Sequence, residues 1–320
     1  MNMKYIFNLA IISLSLCIFC NAPHDNPFDP HLSSTIIGAV VDRKGAGIDI
    51  SKIVIPQLNR ETFSNRDGIF KFYTLPDDRL DLKCSHPLYA PESLSCQVGK
   101  GEKDSVWFIL NGLPLLNNEK IMTYHWVRSW PLEDLYFCKT ETGVSDIDGN
   151  ADIDSLWVWV PALNQRYALT YDPMEKIYTY TIWAESLPGG KLEILCSKPF
   201  YFYSWDLMNG ADSSGPFYIS RIIYPYSKSI FPGGWQDTVP DTFNLIWSKF
   251  REGYGTNYYI GIVQIDPTRV VYTYATNSIE DTTHHVSTPI SPGNYYWTVA
   301  VKDEYGNVSR YKETAFVVRR

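Results

Sequence analysis

From residue 36 onward the apolar residues fall in short runs, and no stretch keeps a helical period. Leu80-Asp81-Leu82-Lys83-Cys84 alternates strictly. In the run 290–303, Tyr295, Trp297, Val299 and Val301 share one face, with Tyr296, Thr298, Ala300 and Lys302 opposite. Gly, Pro, Asn and Asp break the runs, as they do between strands. The pattern predicts strands near 36–42, 53–55, 62–64, 69–72, 80–84 and 105–110. A second set follows near 121–127, 135–139, 155–160, 167–171, 178–183, 192–196 and 218–223, and a third near 243–247, 290–303 and 314–318. Asn65-Arg66-Asp67-Gly68, between two β-prone runs, reads as a hairpin turn. The fold predicted is all-β, three consecutive β-sandwich domains at 34–112, 113–224 and 225–320. Short joints at 113–120 and 225–241 make bending between domains the expectation.

The N-terminus follows other rules. Lys4 precedes an apolar run from Tyr5 to Phe19, closed by Cys20 and a polar stretch, the pattern of an export signal at 1–19. The run is shorter than the roughly 20 residues that span a bilayer. It resembles the signal of a bacterial lipoprotein, which implies that Cys20 is acylated and becomes the mature N-terminus. Such an anchor holds a protein at a membrane surface without crossing it. The expected location is therefore exported and membrane-anchored, at the outer membrane or cell surface. Cleavage after Ala22 with soluble secretion, and an uncleaved anchor, are the alternatives. Residues 20–33, rich in Pro, Asp and Asn, read as a tether.

Composition sharpens this picture. Aromatic residues make up 15%, with 23 Tyr and 10 Trp, as suits pleated, half-buried surfaces. The net charge of −7 without a basic stripe argues against a nucleic-acid partner. There is no Gly-x-Ser-x-Gly elbow, phosphate-binding glycine loop, dinucleotide fingerprint or His-Glu-x-x-His. The chain is read as a non-catalytic envelope protein with a binding, adhesion or scaffolding role toward an envelope protein or glycan. A carbohydrate-binding accessory protein is the first alternative. A cryptic hydrolase, built on paired loop carboxylates, is the second.

Three resemblances support the domains. Gly38-x-Val40-x-Asp42-x-x-Gly45, Asp67-Gly68-x-Phe70-x-Phe72-x-x-Leu75-Pro76, His86-Pro87-x-Tyr89 and Phe108-x-Leu110 resemble a carboxypeptidase regulatory-like domain, a transthyretin-like sandwich without a zinc site. Cys138, Trp157 and Cys196 stand in the order of an immunoglobulin-like domain, in which a tryptophan covers an inter-sheet disulfide. Phe243-x-Leu245-x-Trp247 and the Pro292-Gly293 turn before Tyr295-Tyr296-Trp297 resemble a fibronectin type III domain. Its corner tyrosine is expected at Tyr295 from the face pattern.

Chemistry-bearing candidates are few. Cys84, Cys96, Cys138 and Cys196 are an even set in an exported chain, which points to the disulfides Cys84–Cys96 and Cys138–Cys196, with free thiols as the alternative. Asp146, Asp148, Asn150, Asp152 and Asp154 offer the hard oxygen ligands calcium prefers, but the spacing is not that of an EF-hand, a solvated structural turn is the favoured reading, and no other cofactor is implied. Tyr201, Tyr203 and Trp205 lie in an aromatic run, where an exposed face would bind a sugar or a protein. His125 reads as a strand residue, His86 as a turn residue, and His284-His285 as a solvated pair.

Overall fold

The computed structural model describes residues 34–129 and 131–319. The export signal, Cys20 and the tether lie outside the described residues. The fold is all-β, as the alternation predicts. Among the described residues no helix is long and apolar enough to cross a membrane. The chain forms two compact units: one runs to Leu113 and includes Asp146–Asp152, and the other comprises Pro114–Ser145 and Ile153–Arg320.

The first unit is a three-on-four sandwich. Strand Ser34–Asp42 lies between Ile69–Leu75, antiparallel, and Lys103–Leu110, parallel. The facing sheet runs Arg60–Phe63, Lys52–Ile55, Asp78–His86, Tyr89–Val98. Alternation in Asp78–His86 buries Leu80, Leu82 and Cys84 against Ile36, Val40, Phe70, Phe72 and Phe108. The turn at Asn65 forms as expected, with the Asn65 side-chain oxygen accepting the Asp67 and Ile69 N–H groups. It does not close a hairpin. Arg60–Phe63 pairs with Lys52–Ile55 and Ile69–Leu75 with Ser34–Asp42, so this turn carries the chain from one sheet to the other. Gly68 sits there at φ +78, with the Val40 carbonyl oxygen where a Cβ would go, which restricts the site to glycine.

The second unit contains two sandwiches. In the first of them, the sheet Gln165–Ala168, Ile153–Val160, Phe200–Asp206, Ala211–Phe217 faces strands Thr170–Asp172, Ile177–Trp183, Leu135–Ser145 and Leu115–Trp126. Leu156, Val158, Val160, Phe200 and Phe202 meet Ile121, Cys138 and Ile182 in its core. Two expected strands are absent. Leu192–Leu195 is a 3-10 turn, because its buried residues Leu192 and Leu195 are three apart, the period of that helix rather than of a strand. Residues 218–223 form no strand: their backbone makes one isolated bridge, Ile219 to Cys196, and the Arg221 carbonyl accepts the Thr123 hydroxyl.

In the last sandwich, Ser229–Phe231, Phe243–Trp247 and Thr283–Val286 pack on Gly293–Asp303, Gly255–Gln264, Arg269–Ala275 and Thr314–Val318. This is a fibronectin III-like arrangement around Trp247, Tyr258, Trp297 and Phe316. Tyr295 is buried and its hydroxyl donates to the Ser291 carbonyl at 2.7 Å, which makes it the corner tyrosine. The short strand Val308–Arg310 pairs in parallel with Leu115–Trp126, so one ten-stranded sheet runs through both sandwiches. That pairing bridges the joint at 225–241, where the sequence alone suggested a bend. Below it, the buried Asn307 side chain accepts the Thr123 N–H at 2.8 Å and donates to Asp303 at 2.9 Å.

Candidate functional site

Strand Phe200–Asp206 places Phe200, Phe202, Ser204 and Asp206 inward, which leaves Tyr201, Tyr203 and Trp205 on the outer face. The neighbouring strand Ile153–Val160 buries Leu156, Val158 and Val160 and turns Trp157 and Trp159 outward. Register then lines up five rings: Trp159 lies opposite Tyr201 and Trp157 opposite Tyr203, with Ser155 opposite Trp205. Tyr203 stacks on Trp157 at 4.4 Å and 15° from one side, while the Arg166 guanidinium sits 4.4 Å from that indole on the other neighbouring strand. Tyr201 and Trp159 approach at 5.9 Å. Trp205 differs. It is 38% exposed, and its cross-strand neighbours are the small residues Ser155 and Ala211, so its indole is not stacked on another ring.

This corrects the role expected of Trp157. The structure holds no disulfide for it to cover, and strand alternation turns it to the outer face, from which it packs only partly on the core that holds Cys138. The alternation of Leu156, Val158 and Val160 carried that information. The Cys…Trp…Cys order concealed it, and with it Trp159 and Arg166.

Of the five oxygen ligands proposed for calcium, the structure gathers three. Carboxylate oxygens of Asp146, Asp148 and Asp152 lie within 4.8 Å of one another, and Asp154 is not among them. Their environment is that of a self-capped loop. Asp146 accepts the Asp148 N–H at 2.8 Å, Asp148 accepts the Gly112 N–H at 2.8 Å, and Arg43 pairs with Asp152 at 2.5 Å. One protein cation and two main-chain donors answer part of the charge of these three carboxylates, as in side-chain-capped turns, while Asp148 Oδ1 is buried without a hydrogen-bond partner.

The cysteines also depart from expectation. Cys96 lies opposite Leu80 and Cys84 opposite Glu92, so the two thiols are offset by four residues on adjacent strands. At about 3.3 Å per residue that offset exceeds the span of a disulfide by roughly twofold. The proposed Cys84–Cys96 bridge is therefore excluded by register. Burial, with Glu92 adding to it, pushes the Cys84 thiol up to about 12. Burial likewise raises Cys96, Cys138 and Cys196, and Cys196 adds to the effect on Cys138. All four stand as free thiols in this structure, and burial disfavours their thiolate forms. Peptide mapping of the unreduced protein is expected to yield no Cys84–Cys96 linked peptide; finding one would contradict the register.

One Ser–His–Asp chain exists among the hydrogen bonds of the described residues. Ser309 Oγ lies 3.1 Å from His125 Nδ1, and Asp134 Oδ2 lies 3.0 Å from His125 Nε2. Ser309 is 0% and His125 2% exposed, so this hydroxyl does not meet a substrate from solvent, and the chain serves to satisfy polar groups in the core. His86 packs edge-on to Tyr89 at 5.2 Å. His284 and His285 lie in strand Thr283–Val286, not in a loop; the first stacks on Tyr274 at 3.5 Å and the second meets Asn244.

No known family matches the chain by sequence, and neither does any curated protein. Solved structures with a similar course are all-β. A provisionally assigned carbohydrate binding protein of Bacteroides uniformis shares 14% identity over 58% of this chain and 92% of its own, at a TM-score of 0.24. The FN1-FN3 domains of chicken CNTN1 share 10% over 86% and 92%, at 0.28. Fibronectin(III)-like modules of Clostridium thermocellum CbhA share 8% over 64% and 93%, at 0.29.

Proposed function

We propose that this chain is a non-catalytic envelope lipoprotein that binds a glycan on the outer aromatic face of the Ile153–Val160 and Phe200–Asp206 sheet. The lipid on Cys20 and the tether at 20–33 would hold it at the outer membrane or cell surface, with the carboxypeptidase regulatory-like sandwich nearest the anchor. The observation that carries the binding reading is Trp205, solvent-facing and unstacked at the end of a row of four further rings. A pyranose presents C–H faces that pack on such a ring and hydroxyls that need polar neighbours. Ser155 opposite Trp205, Ser213 opposite Tyr203, and Arg166 on Trp157 supply those neighbours. Tyr, Trp and Arg are enriched at protein interfaces too; the serines interleaved with the rings are what favours a glycan over the broader adhesion and scaffolding readings.

The test is a titration of the exported domains with soluble polysaccharides, followed by tryptophan fluorescence. Quenching that saturates and is lost in Trp205→Ala, by about tenfold or more in affinity, is the expected result. Equal binding by Trp205→Ala, or none by either protein, removes the proposal. Because Trp205 is 38% exposed, its truncation also removes some packing, so a thermal melt of Trp205→Ala accompanies the titration to separate lost folding from lost binding.

A further inference from the structure

In the same sandwich, away from the aromatic face, lies an open cleft of about 500 Å³. That is within the usual size range of small-molecule sites, roughly 300–1,000 Å³. It is bounded by the start of strand Leu135–Ser145, the end of Ile177–Trp183 and the 3-10 turn Leu192–Leu195. Three rings line it: Tyr136, Trp183 and Tyr224. They are held from behind. Tyr136 stacks on buried His125 at 4.4 Å and meets Tyr224 at 5.9 Å, while Trp183 packs on Phe137 at 4.7 Å. The apolar walls are thus pre-positioned, which lowers the cost of ordering them around a ligand.

The polar groups divide into those used by the fold and those facing the cleft. Asp134 is used, accepting the Arg128 N–H and meeting His125. Glu193 faces the cleft, and its carboxyl is held below the usual carboxylate range by hydrogen bonds from its own backbone N–H and from Tyr224, with Lys191 helping. The Tyr224 phenol is raised by burial and by that hydrogen bond, so it keeps its proton and acts as a donor. Lys191 and Glu185 also line the cleft and enter no salt bridge among the described residues. Arg128 is anchored through Nε to the Glu133 carbonyl at 2.5 Å, which positions its guanidinium at the rim.

From this arrangement we infer that the cleft is a second binding site, for a neutral polyhydroxylated ligand the size of a mono- or disaccharide. A hydroxyl both donates and accepts, and the cleft offers carboxylate acceptors beside the donors Arg128 and Lys191, the Tyr224 proton being given to Glu193. An anion would face four carboxylates, Glu133, Asp134, Glu185 and Glu193, and a cation would face Arg128 and Lys191; a neutral polyol carries no charge to oppose either set. The rings supply a surface for its C–H face. The inference stands on the cleft alone and does not depend on Trp205.

The experiment titrates the mature protein by calorimetry with glucose, galactose, mannose, N-acetylglucosamine, maltose and cellobiose, and with glucosamine and glucuronate as charged counterparts. At least one neutral sugar is expected to bind with one-to-one stoichiometry and more tightly than either charged sugar. Glu193→Gln and Trp183→Ala are each expected to weaken it by about tenfold or more, while Trp205→Ala leaves it unchanged. Glu193 is exposed, so Glu193→Gln tests the site even if Trp183→Ala fails to fold. Binding of none of the neutral sugars, tighter binding of a charged sugar, or binding lost in Trp205→Ala but kept in Glu193→Gln would overturn the inference. Loss of polysaccharide binding at Trp205 with the cleft intact, or the reverse, separates the two sites.

Discussion

Asp303→Ala is expected to destabilise the second unit by about 3 kcal/mol or more, because it strands several hydrogen-bond donors gathered on one buried carboxylate. Asp303 is 2% exposed. One of its oxygens accepts the N–H groups of Tyr305 at 3.0 Å and Asn307 at 2.9 Å. The other accepts Arg221 Nη1 at 3.0 Å and the Asn307 side-chain amide at 2.9 Å. Truncation strands these donors, and a buried unsatisfied donor costs about 1–3 kcal/mol. The damage reaches beyond the turn, because Asn307 also binds the Thr123 N–H and so supports the pairing of Val308–Arg310 with Leu115–Trp126. Urea denaturation of wild type and variant measures the loss, and faster amide exchange at 308–310 and 124–126 should accompany it. A loss under about 1 kcal/mol would mean that these hydrogen bonds do not hold the shared sheet together.

Trp297→Ala is expected to cost a similar amount, about 3–5 kcal/mol, for a different reason. Trp297 is fully buried among Trp247, Tyr258 and the rest of the last sandwich's core, and its Nε1 donates to the Pro232 carbonyl at 2.8 Å. Alanine leaves a cavity that close-packed neighbours refill only in part. Trp297→Phe keeps most of the ring and loses the hydrogen bond, so it should cost about 1–2 kcal/mol. Equal losses from the two variants would show that the indole N–H, and not volume, dominates.

What could be read from the residues alone follows the range of each signal. Alternation is local, and in 290–303 it identified the buried face of a whole strand, including the corner Tyr295. It also contained the outward turn of Trp157 and Trp159, which a longer-range cysteine analogy overrode. Leu192–Leu195 misled because its apolar residues are too few to separate a strand from a 3-10 turn. Asn65–Gly68 was legible as a turn but not as a sheet crossing, since the partners of the two flanking strands lie elsewhere in the chain. Cysteine pairing failed at register: adjacency of the strands was right, yet a four-residue offset removes the bridge. The three-residue pairing of Val308–Arg310 with Leu115–Trp126 leaves no periodic trace in so short a strand. The cleft was invisible too, since its walls come from four stretches of chain that only the fold brings together.

The proposed function meets its most direct test in intact cells. A photo-crosslinking amino acid placed at position 211, opposite Trp205 and exposed, would leave the ring row in place; it would be activated in cells making the tagged protein, and the captured material analysed by mass spectrometry. The account predicts a glycan adduct that periodate destroys and that a crosslinker placed on the first sandwich does not form. A reproducible protein adduct at position 211, unaffected by periodate, would contradict it and make the aromatic face a protein-docking surface.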